Sequence, residues 1–168
     1  MPTDGEITFA DHAARLYASR YGMPPMAGRL LGYLTICDPP EQSIAELAEA
    51  LLASRSAIAG AVKTLDTLGL IRRSRAAGER MDRVRIDFDN PRAMGFDATE
   101  YREQGDLARE GLALLAGTPV ERRAVLLEYA AFADFLVARL PELEKDWKTH
   151  REALRAAGEL PDVKSARQ

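Results

Sequence analysis

This sequence predicts a mainly α-helical protein with one small β-hairpin, and three observations support that fold class. Apolar residues recur at helical spacing over most of the 168 positions. A serine or threonine followed three residues later by glutamate, the pattern of a capping box, precedes two of these apolar segments. Alternation of apolar and charged residues, which is typical of a strand, is concentrated at positions 70–88. We therefore expect helices on both sides of a single hairpin.

The first two helices are predicted at positions 7–21 and 26–37. A Gly-Met-Pro-Pro run separates them, and an Asp-Pro-Pro run ends the second, because proline cannot continue a helix. The second helix is apolar on several sides, so we expect it at the centre of a hydrophobic core.

Two helices joined by a tight turn follow. Ser43 and Glu46 form a capping box that begins a short helix at positions 44–51, and Ser54 can cap a longer helix after it. The longer helix should end just before Gly69, because the residue that follows a helix commonly needs a left-handed conformation. A capped pair of this kind is typical of a helix-turn-helix.

The two faces of the longer helix differ in chemistry. Helical spacing predicts a core-facing stripe at Ile58, Val62, Leu65 and Leu68. The opposite face has small residues in its middle and polar or cationic residues toward its ends, namely Arg55, Ser56, Ala59, Gly60, Lys63 and Thr64. Glycine costs about 1 kcal/mol relative to alanine inside a helix. Gly60 therefore indicates either close approach to a nucleic-acid groove or a tolerated surface glycine.

Two strands are predicted at positions 70–75 and 81–88, joined by a loop at positions 76–80. The second strand should turn its apolar residues to the core and its charged residues outward, with Val84, Ile86 and Phe88 inside and Arg83, Arg85 and Asp87 outside. A basic hairpin after such a helix pair is typical of a winged helix, whose wing can insert an arginine into a narrow minor groove. Arg80 at the loop tip is the first candidate for this contact, and Arg83 is the second.

The remaining sequence is predicted to be helical. One helix is expected at positions 97–116, and Thr118 with Glu121 forms a second capping box before a helix that reaches about position 140. Pro141 is expected to end that helix, and a final helix follows it. The helix after Thr118 has two apolar faces, one with Ala124, Leu127, Ala131 and Phe135 and the other with Leu126, Ala130, Ala133, Val137 and Leu140. Two such faces indicate two partners, its own domain and a second subunit.

Charge is distributed unevenly along the chain. The net charge is −3, which by itself argues against a nucleic-acid partner. Positions 54–85 nevertheless contain eight basic residues and three acidic ones, a local balance of +5 that leaves −8 for the rest. Because distant charges are screened, a polyanion responds mainly to this local field. The segment indicates either DNA binding or a solvated charged face, and the helix-turn-helix favours DNA.

Patterns for catalysis and for metal binding are missing from the sequence. It has no phosphate loop, nucleophile elbow, HExxH motif or dinucleotide fingerprint, so we expect no enzyme and no cofactor. His12 and His150 lie far apart, which disfavours a metal site. Cys37 is expected to be a buried apolar residue rather than an oxidant sensor. Trp147 and the other C-terminal aromatic residues are expected in a core or interface, with an effector pocket as the alternative.

The predicted location is the cytoplasm, with no contact with a membrane. A single cysteine suits a reducing compartment, no apolar run approaches 18 residues, and the N-terminal residues lack the basic start of a secretory signal. We expect four parts: residues 1–24, an N-terminal dimerisation helix; 25–89, the winged helix-turn-helix; 90–157, C-terminal dimerisation helices; and 158–168, a flexible tail.

The run GMPPMAGRLLGYL, the CDPPEQS connection and the helix-turn-helix after them resemble the DNA-binding core of the MarR superfamily of transcriptional regulators, specifically its GbsR-like branch. The resemblance covers about residues 20–90. It implies a symmetric homodimer in which the N-terminal and C-terminal helices interlock and two winged domains bind double-stranded DNA side by side. In some relatives it also implies control by a small aromatic or cationic effector.

The resemblance places DNA contacts on the recognition helix and on the wing. We expect Arg55 and Ser56 to read base edges, and the hairpin arginines with Lys63 to contact phosphates. Better-studied relatives carry an Asp-x-Arg arrangement in the wing, which positions 79–83 match only loosely. The full set of expected DNA-binding residues is Ser54, Arg55, Ser56, Ala59, Gly60, Lys63, Thr64, Arg72, Arg73, Arg75, Arg80 and Arg83.

Two other functions stay open at this point. The first is a winged-helix module that binds another protein and no DNA, and the second is a small-molecule carrier built on the C-terminal helices. A face that binds a protein should expose large apolar residues, whereas the outer face of the recognition helix is small, polar and cationic. The sequence therefore favours DNA.

Overall fold

The computed structural model describes residues 1–75 and 82–161 of the chain. Within them the elements in order are α1 (Asp4–Tyr21), α2 (Pro25–Ile36), β1 (Gln42–Ser43), α3 (Ile44–Ala50), α4 (Arg55–Thr67), β2 (Ile71–Ser74), β3 (Arg83–Ile86), α5 (Thr99–Leu114) and α6 (Val120–Ala156). The predicted fold class, mainly helical with a small sheet, is confirmed. The chain forms two compact units, residues 1–94 and 95–168. The finer division into four parts stays a prediction.

Helix α1 begins with a capping box that the sequence analysis overlooked. The Thr3 hydroxyl accepts a hydrogen bond from Glu6 N–H at 3.3 Å, and Thr3 N–H donates to the Glu6 carboxylate at 2.6 Å. Because these bonds satisfy amides that a helix start leaves free, α1 begins at Asp4 and not at Ile7. Helix α2 lies within one residue of its predicted bounds at both ends.

Helices α1 and α2 cross through small residues. Gly28 and Gly32 lie one helical turn apart on α2, and each faces alanines of α1. A methyl group built on Gly28 would lie 3.1 Å from Ala14 Cα, and one built on Gly32 would overlap the methyl group of Ala13. Neither glycine can gain a side chain unless the helices move apart. The close crossing of α1 and α2 therefore requires glycine, which has no Cβ, at positions 28 and 32.

The core of the first unit lies where α2, α3, α4 and the sheet meet. Its largest fully buried side chains are Leu30, Leu47, Leu51, Ile58, Leu65 and Val84. The core-facing stripe of α4 is confirmed for Ile58, Val62 and Leu65, but it is wrong for Leu68, which is 41% exposed. Helix α4 ends at Thr67, so Leu68 lies beyond the helical spacing that predicted its burial. Gly69 has a φ of 69°, the left-handed conformation that we expected after this helix.

The capping box predicted at the start of α3 is confirmed. Ser43 Oγ accepts a hydrogen bond from Glu46 N–H at 3.2 Å, and Ser43 N–H donates to the Glu46 carboxylate at 2.6 Å. These bonds hold the pKa of Glu46 below its usual value. The first helix of the motif is therefore anchored at its N-terminus.

Replacing Ser43 by alanine should lower the free energy of unfolding by about 1 kcal/mol, because the Glu46 amide loses its acceptor. Urea-induced unfolding at neutral pH, followed by circular dichroism, measures this change. Ser43→Thr keeps a capping hydroxyl and should lose much less. Equal losses in the two variants would show that the hydroxyl contributes nothing.

The sheet has three antiparallel strands in the order β1-β3-β2. The two-residue strand β1, which the sequence analysis did not predict, pairs Gln42 with Val84 and Ser43 with Arg83. Both strands of the hairpin are shorter than predicted. Because β3 ends at Ile86, the expected alternation does not continue past that residue.

Two residues after β3 therefore contradict the expected pattern. Phe88 was predicted to face the core and is 59% exposed, whereas Asp87 was predicted to face outward and is only 8% exposed. Asp87 N–H donates to Leu70 O at 3.1 Å, and its carboxylate accepts hydrogen bonds from Arg72. Burial of this aspartate is possible because its charge is paired.

The second unit consists of α5 packed against α6, with Gly105 beside Ala133 and Gly111 beside Leu126. The capping box predicted at Thr118 is wrong. The Thr118 hydroxyl donates back to Leu115 O at 2.8 Å, and α6 begins after it without a side-chain cap.

Pro141 does not end α6, contrary to prediction, and the helix continues to Ala156. An interior proline removes one helical hydrogen bond, and its ring crowds the carbonyl one turn earlier, but it does not end this helix. Long helical segments lie on both sides of it, and ion pairs of Arg139 with Glu142 and of Lys148 with Glu144 follow the helix surface there. The two helices predicted in this region are thus one.

One of the two apolar faces predicted for α6 is buried and the other is exposed. Ala130, Ala133 and Leu140 are buried on the face that also holds Leu126 and Val137, whereas Leu127 and Phe135 of the other face are exposed. The exposed large apolar side chains of α6 are Val120, Val125, Leu127, Tyr129, Phe132, Phe135 and Leu143, with exposed fractions from 39 to 77%. In the two stretches that the structure describes, no helix has the length and apolarity needed to cross a bilayer.

Candidate nucleic-acid interface

The outer face of α4 is exposed along the helix. The core-facing residues Ile58, Val62 and Leu65 fix the rotation of α4 about its axis, so the opposite face is held away from the core. The exposed residues on that face are Ser54, Arg55, Ser56, Ala59, Gly60 and Lys63, and Thr64 is half-buried. The structure thus brings together the predicted recognition residues on one surface.

The N-terminus of α4 is stabilised by Ser54. Its hydroxyl accepts a hydrogen bond from Ala57 N–H at 3.1 Å and lies 3.0 Å from the Ser56 hydroxyl. Ser54 is therefore a helix cap, as predicted, and its expected DNA contact stays a prediction. Free amides and the positive end of the helix dipole make such a terminus favourable for phosphate.

Two cations and a glycine characterise the rest of this face. Neither the Arg55 guanidinium nor the Lys63 ammonium group has a hydrogen bond or ion pair with another described residue. Gly60 lies between them, and a methyl group built on it would meet nothing within 4 Å. Packing within the unit therefore gives no reason for glycine at this position, unlike at Gly28 and Gly32.

The described arginines of the hairpin are all ion-paired. The pairs, with N···O distances from 2.7 to 3.3 Å, are Arg72 with Asp87, Arg73 and Arg75 with Asp82, Arg83 with Glu46, and Arg85 with Glu41. Glu41, Glu46 and Asp87 lie outside positions 54–85. The net charge of +5 counted over positions 54–85 omits these three carboxylates. It therefore overstates the positive charge that is available to bind a polyanion.

Arg72 has a structural partner in the buried carboxylate of Asp87. Its guanidinium donates to both carboxylate oxygens over 3.1–3.3 Å. Removing Arg72 would leave a buried charge without its partner, which is strongly destabilising. A phosphate contact by Arg72 stays a prediction, and an alanine variant would change the fold as well as the charge.

Glu41 and Glu46 connect the hairpin to the helix-turn-helix. Arg83 Nη1 donates to Glu41 O at 3.0 Å and to the Glu46 carboxylate at 3.3 Å. Arg85 pairs with the Glu41 carboxylate at 3.0 Å, and the Ser74 hydroxyl donates to the same group at 3.1 Å. Arg83, expected to contact DNA, thus helps to hold the wing against the start of α3, and its DNA contact stays a prediction.

Asp82 lies between two arginines of the neighbouring strand. Arg75 donates to Asp82 Oδ1 at 2.8 Å, and Arg73 donates to Asp82 Oδ2 at 2.7 Å. The hydrogen bond from Arg75 is the larger cause, and that from Arg73 the smaller, of a pKa of Asp82 below its usual value. This carboxylate is therefore charged at neutral pH.

The first candidate for the minor groove, Arg80, lies outside the described residues, so its contact stays a prediction. The sequence analysis missed all four carboxylates of the hairpin pairs. Asp82 could have been predicted as an arginine partner from the strand register. Ser74 pairs with Arg83, and one further step of the same antiparallel register pairs Arg75 with Asp82. Glu41 and Glu46 had no such signal, because they lie about 40 positions from their partners.

Cys37 is 8% exposed, and burial raises the pKa of its thiol. A protonated, buried thiol reacts poorly with oxidants, which supports its assignment as an apolar residue. Over residues 1–75 and 82–161, no group of three or more histidine, cysteine or acidic side chains could hold a metal ion.

Two family models match this chain. Residues 21–80 match a model described as the MarR family, and residues 91–162 match one described as MmpR5-like MarR family transcriptional regulators. The first match contains the helix-turn-helix and β2, and the second contains α5 and α6. The helical second unit is therefore similar to known sequences as well as the winged part.

Individual proteins give the same result. The chain is 36% identical, over 126 residues, to the HTH-type transcriptional regulator MmpR5 of Mycobacterium tuberculosis, with 73% of this chain and 74% of that protein covered. It is also similar to a crystal structure of a transcriptional regulator, with a TM-score of 0.79 and 29% identity, over 86% of this chain and 99% of the other.

Proposed function

The chain belongs to the MarR family of transcriptional regulators, and we propose that it acts as a homodimer on a pseudo-palindromic operator. Each α4 lies in a major groove about one helical turn from its mate. Arg55 and Ser56 read base edges there, and Lys63 contacts a phosphate.

The exposed outer face of α4 is the observation that carries this proposal. It presents two cations with no partner among the described residues, separated by small side chains that let the helix backbone approach a groove wall. Large apolar residues, which a protein-binding face would need, are missing from the seven positions of this face. The alternative of a winged-helix module that binds only protein is therefore disfavoured.

A gel-shift assay with the DNA that flanks the protein's own gene tests operator binding. We expect a shifted band at low salt that persists at moderate salt, whereas a shuffled fragment of equal length and composition is released. Loss with increasing salt follows from the counterions that phosphate contacts release. If no fragment shifts at low salt, operator binding is refuted and the protein-binding alternative becomes the better account.

The exposed face of α6 supports the homodimer. Val125, Tyr129, Phe132 and Leu143 share one side of the helix by their spacing, and all are at least 39% exposed. This side is not the predicted face of Leu127 and Phe135, which is exposed as well. Apolar surface of this extent on a helix is typical of a subunit interface. We assign this face to contact with a second copy of the chain.

Replacing Phe132 by glutamate should weaken dimerisation at least about tenfold, equivalent to about 1.4 kcal/mol, because a charge would be buried in an apolar interface. Sedimentation at several protein concentrations measures the shift toward monomer. The matched control is Phe88→Glu, which makes the same chemical change at a phenylalanine that is 59% exposed outside α6. A wild-type chain that sediments as a monomer at micromolar concentration would refute the homodimer.

Two finer assignments also belong to the proposal. Membership of the GbsR-like branch is supported by the GMPPMAGRLLGYL run, whereas the model that matches residues 91–162 is described as MmpR5-like. Control by a small-molecule effector in the cytoplasm is supported by the family resemblance. Aromatic or cationic compounds that abolish the gel shift would establish it.

A further inference from the structure

Asp82 and two arginines form a cluster on the hairpin. In the register of β2 and β3, Ser74 pairs with Arg83 and Arg73 with Val84, so the next position places Asp82 opposite Arg75. Side chains two positions apart point to the same face of a strand. Arg73 therefore lies on the face that carries the buried residues Ile71 and Val84. Asp82 and Arg75, which flank the ends of the two strands, are joined to Arg73 through the Asp82 carboxylate.

That face is the one turned toward the helices. Helix α4 packs against β2, and α2 packs against β3. Arg73 thus extends from the side of the wing nearest to the recognition helix, at the end of the hairpin that leads to the loop.

This cluster differs from the other ion pairs of the wing. Asp87 is buried, and Glu41 and Glu46 also bind backbone or hydroxyl groups that fix β1 and α3. The side chains of Arg73 and Arg75 are 44% and 61% exposed, and Asp82 has no hydrogen-bond partner among the described residues besides these two arginines. Among the described residues, replacing Asp82 therefore removes only its hydrogen bonds with these two arginines.

The geometry of the cluster is that of an anion between two guanidinium groups. Each carboxylate oxygen accepts from one arginine, at 2.7 and 2.8 Å. A DNA phosphate presents two oxygens of the same kind and charge, and arginine binds carboxylate and phosphate with the same donor geometry. Carboxylate and phosphate cannot both occupy these donors.

We propose that Asp82 competes with the DNA backbone for Arg73 and Arg75, so that the wing contacts phosphate only when DNA displaces this carboxylate. The inference rests on the proposed operator binding. In this proposal, Asp82 limits the part of the DNA affinity that comes from phosphate contacts and does not depend on base sequence. With the carboxylate in place, the cluster carries one positive charge; without it, it carries two.

The test compares the full-length protein with its Asp82→Asn variant on a duplex of unrelated sequence and on the operator fragment. We expect the variant to bind both at least about threefold more tightly. The plot of log affinity against log salt should become steeper by about one phosphate contact. Asp66→Asn is the matched control, since Asp66 is exposed in the same basic segment and has no ion pair among the described residues.

A triple variant separates competition from a general change of charge. Arg73→Gln with Arg75→Gln in the Asp82→Asn background should return both the affinity and the salt dependence to the wild-type level or below. The proposal is overturned if Asp82→Asn binds no more tightly than the wild type, which would mean that the carboxylate orients the arginines for DNA. It is also overturned if Asp66→Asn gains as much. Thermal unfolding of each variant establishes that it is folded.

Elution from immobilised heparin distinguishes this inference from the proposed function. Heparin is a polyanion without a base sequence, so it reports on the freed arginines even if no duplex is bound. A wild-type protein that shifts no DNA would refute operator binding. Later elution of Asp82→Asn than of Asp66→Asn would still support competition at the cluster, and equal elution would refute it.

Discussion

Replacing Gly32 by valine should lower the free energy of unfolding by about 3 kcal/mol, the upper part of the usual range for overpacking. Even a methyl group at this position would overlap the methyl group of Ala13, which is fixed directly to the backbone of α1. The next nearest atom, Ala10 Cα at 3.3 Å, is equally unable to move aside. Helices α1 and α2 must therefore separate to admit the side chain.

Gly60→Val is the matched control, because it places the same side chain in an open position of another helix. Valine and glycine differ by only a few tenths of a kcal/mol in helix propensity, so we expect little change in stability. Urea unfolding of both variants, monitored by circular dichroism, gives the comparison. Equal losses at positions 32 and 60 would mean that the crossing of α1 and α2 is looser than the structure indicates.

Replacing Arg55 by alanine should weaken operator binding by about 1–3 kcal/mol, roughly fivefold to 150-fold. Arg55 is the first residue of α4, its side chain is exposed, and it has no partner among the described residues. A free guanidinium in the first turn of a recognition helix can donate two hydrogen bonds to one guanine. The loss should therefore fall mainly on the preferred sequence.

Selection of binding sites from a random library measures this effect on preference. The Arg55→Ala variant should tolerate more bases at one position of each half-site, whereas affinity for an unrelated duplex changes little. Arg20→Ala, in the last turn of α1, removes the same charge away from α4 and serves as the control. An unchanged base preference with Arg55→Ala would exclude base reading by this residue.

The helix-turn-helix could be predicted almost completely from sequence. Its two caps, its turn and the glycine after α4 each depend on residues within about four positions of one another, and local rules describe such contacts. The same rules were misapplied at Thr118 and Pro141. At these two positions the Thr118 hydroxyl bonds to the preceding turn and α6 continues through Pro141, and residue type and spacing alone do not decide either outcome.

The ion-pair partners of the wing arginines could not be predicted by such local rules. Its basic residues were expected to be free for DNA, but the described ones are paired with carboxylates that lie as far as 44 positions away in the sequence, as Glu41 does from Arg85. Whether Arg83 meets Glu46 or solvent depends on how the hairpin is placed on α3. Composition gives the number of charges in a segment but not their partners.

The sequence by itself determined the order of the helices, the capped motif and the outward face of α4, because these follow from spacing along one helix. Only the tertiary structure decided which cations are free, which glycines are required and which face of α6 is exposed. Each of these depends on the approach of elements that are distant in the chain. Gly32 and Gly60 are the same residue in the same kind of helix, and only the neighbour of Gly32 across the α1–α2 crossing makes glycine necessary there.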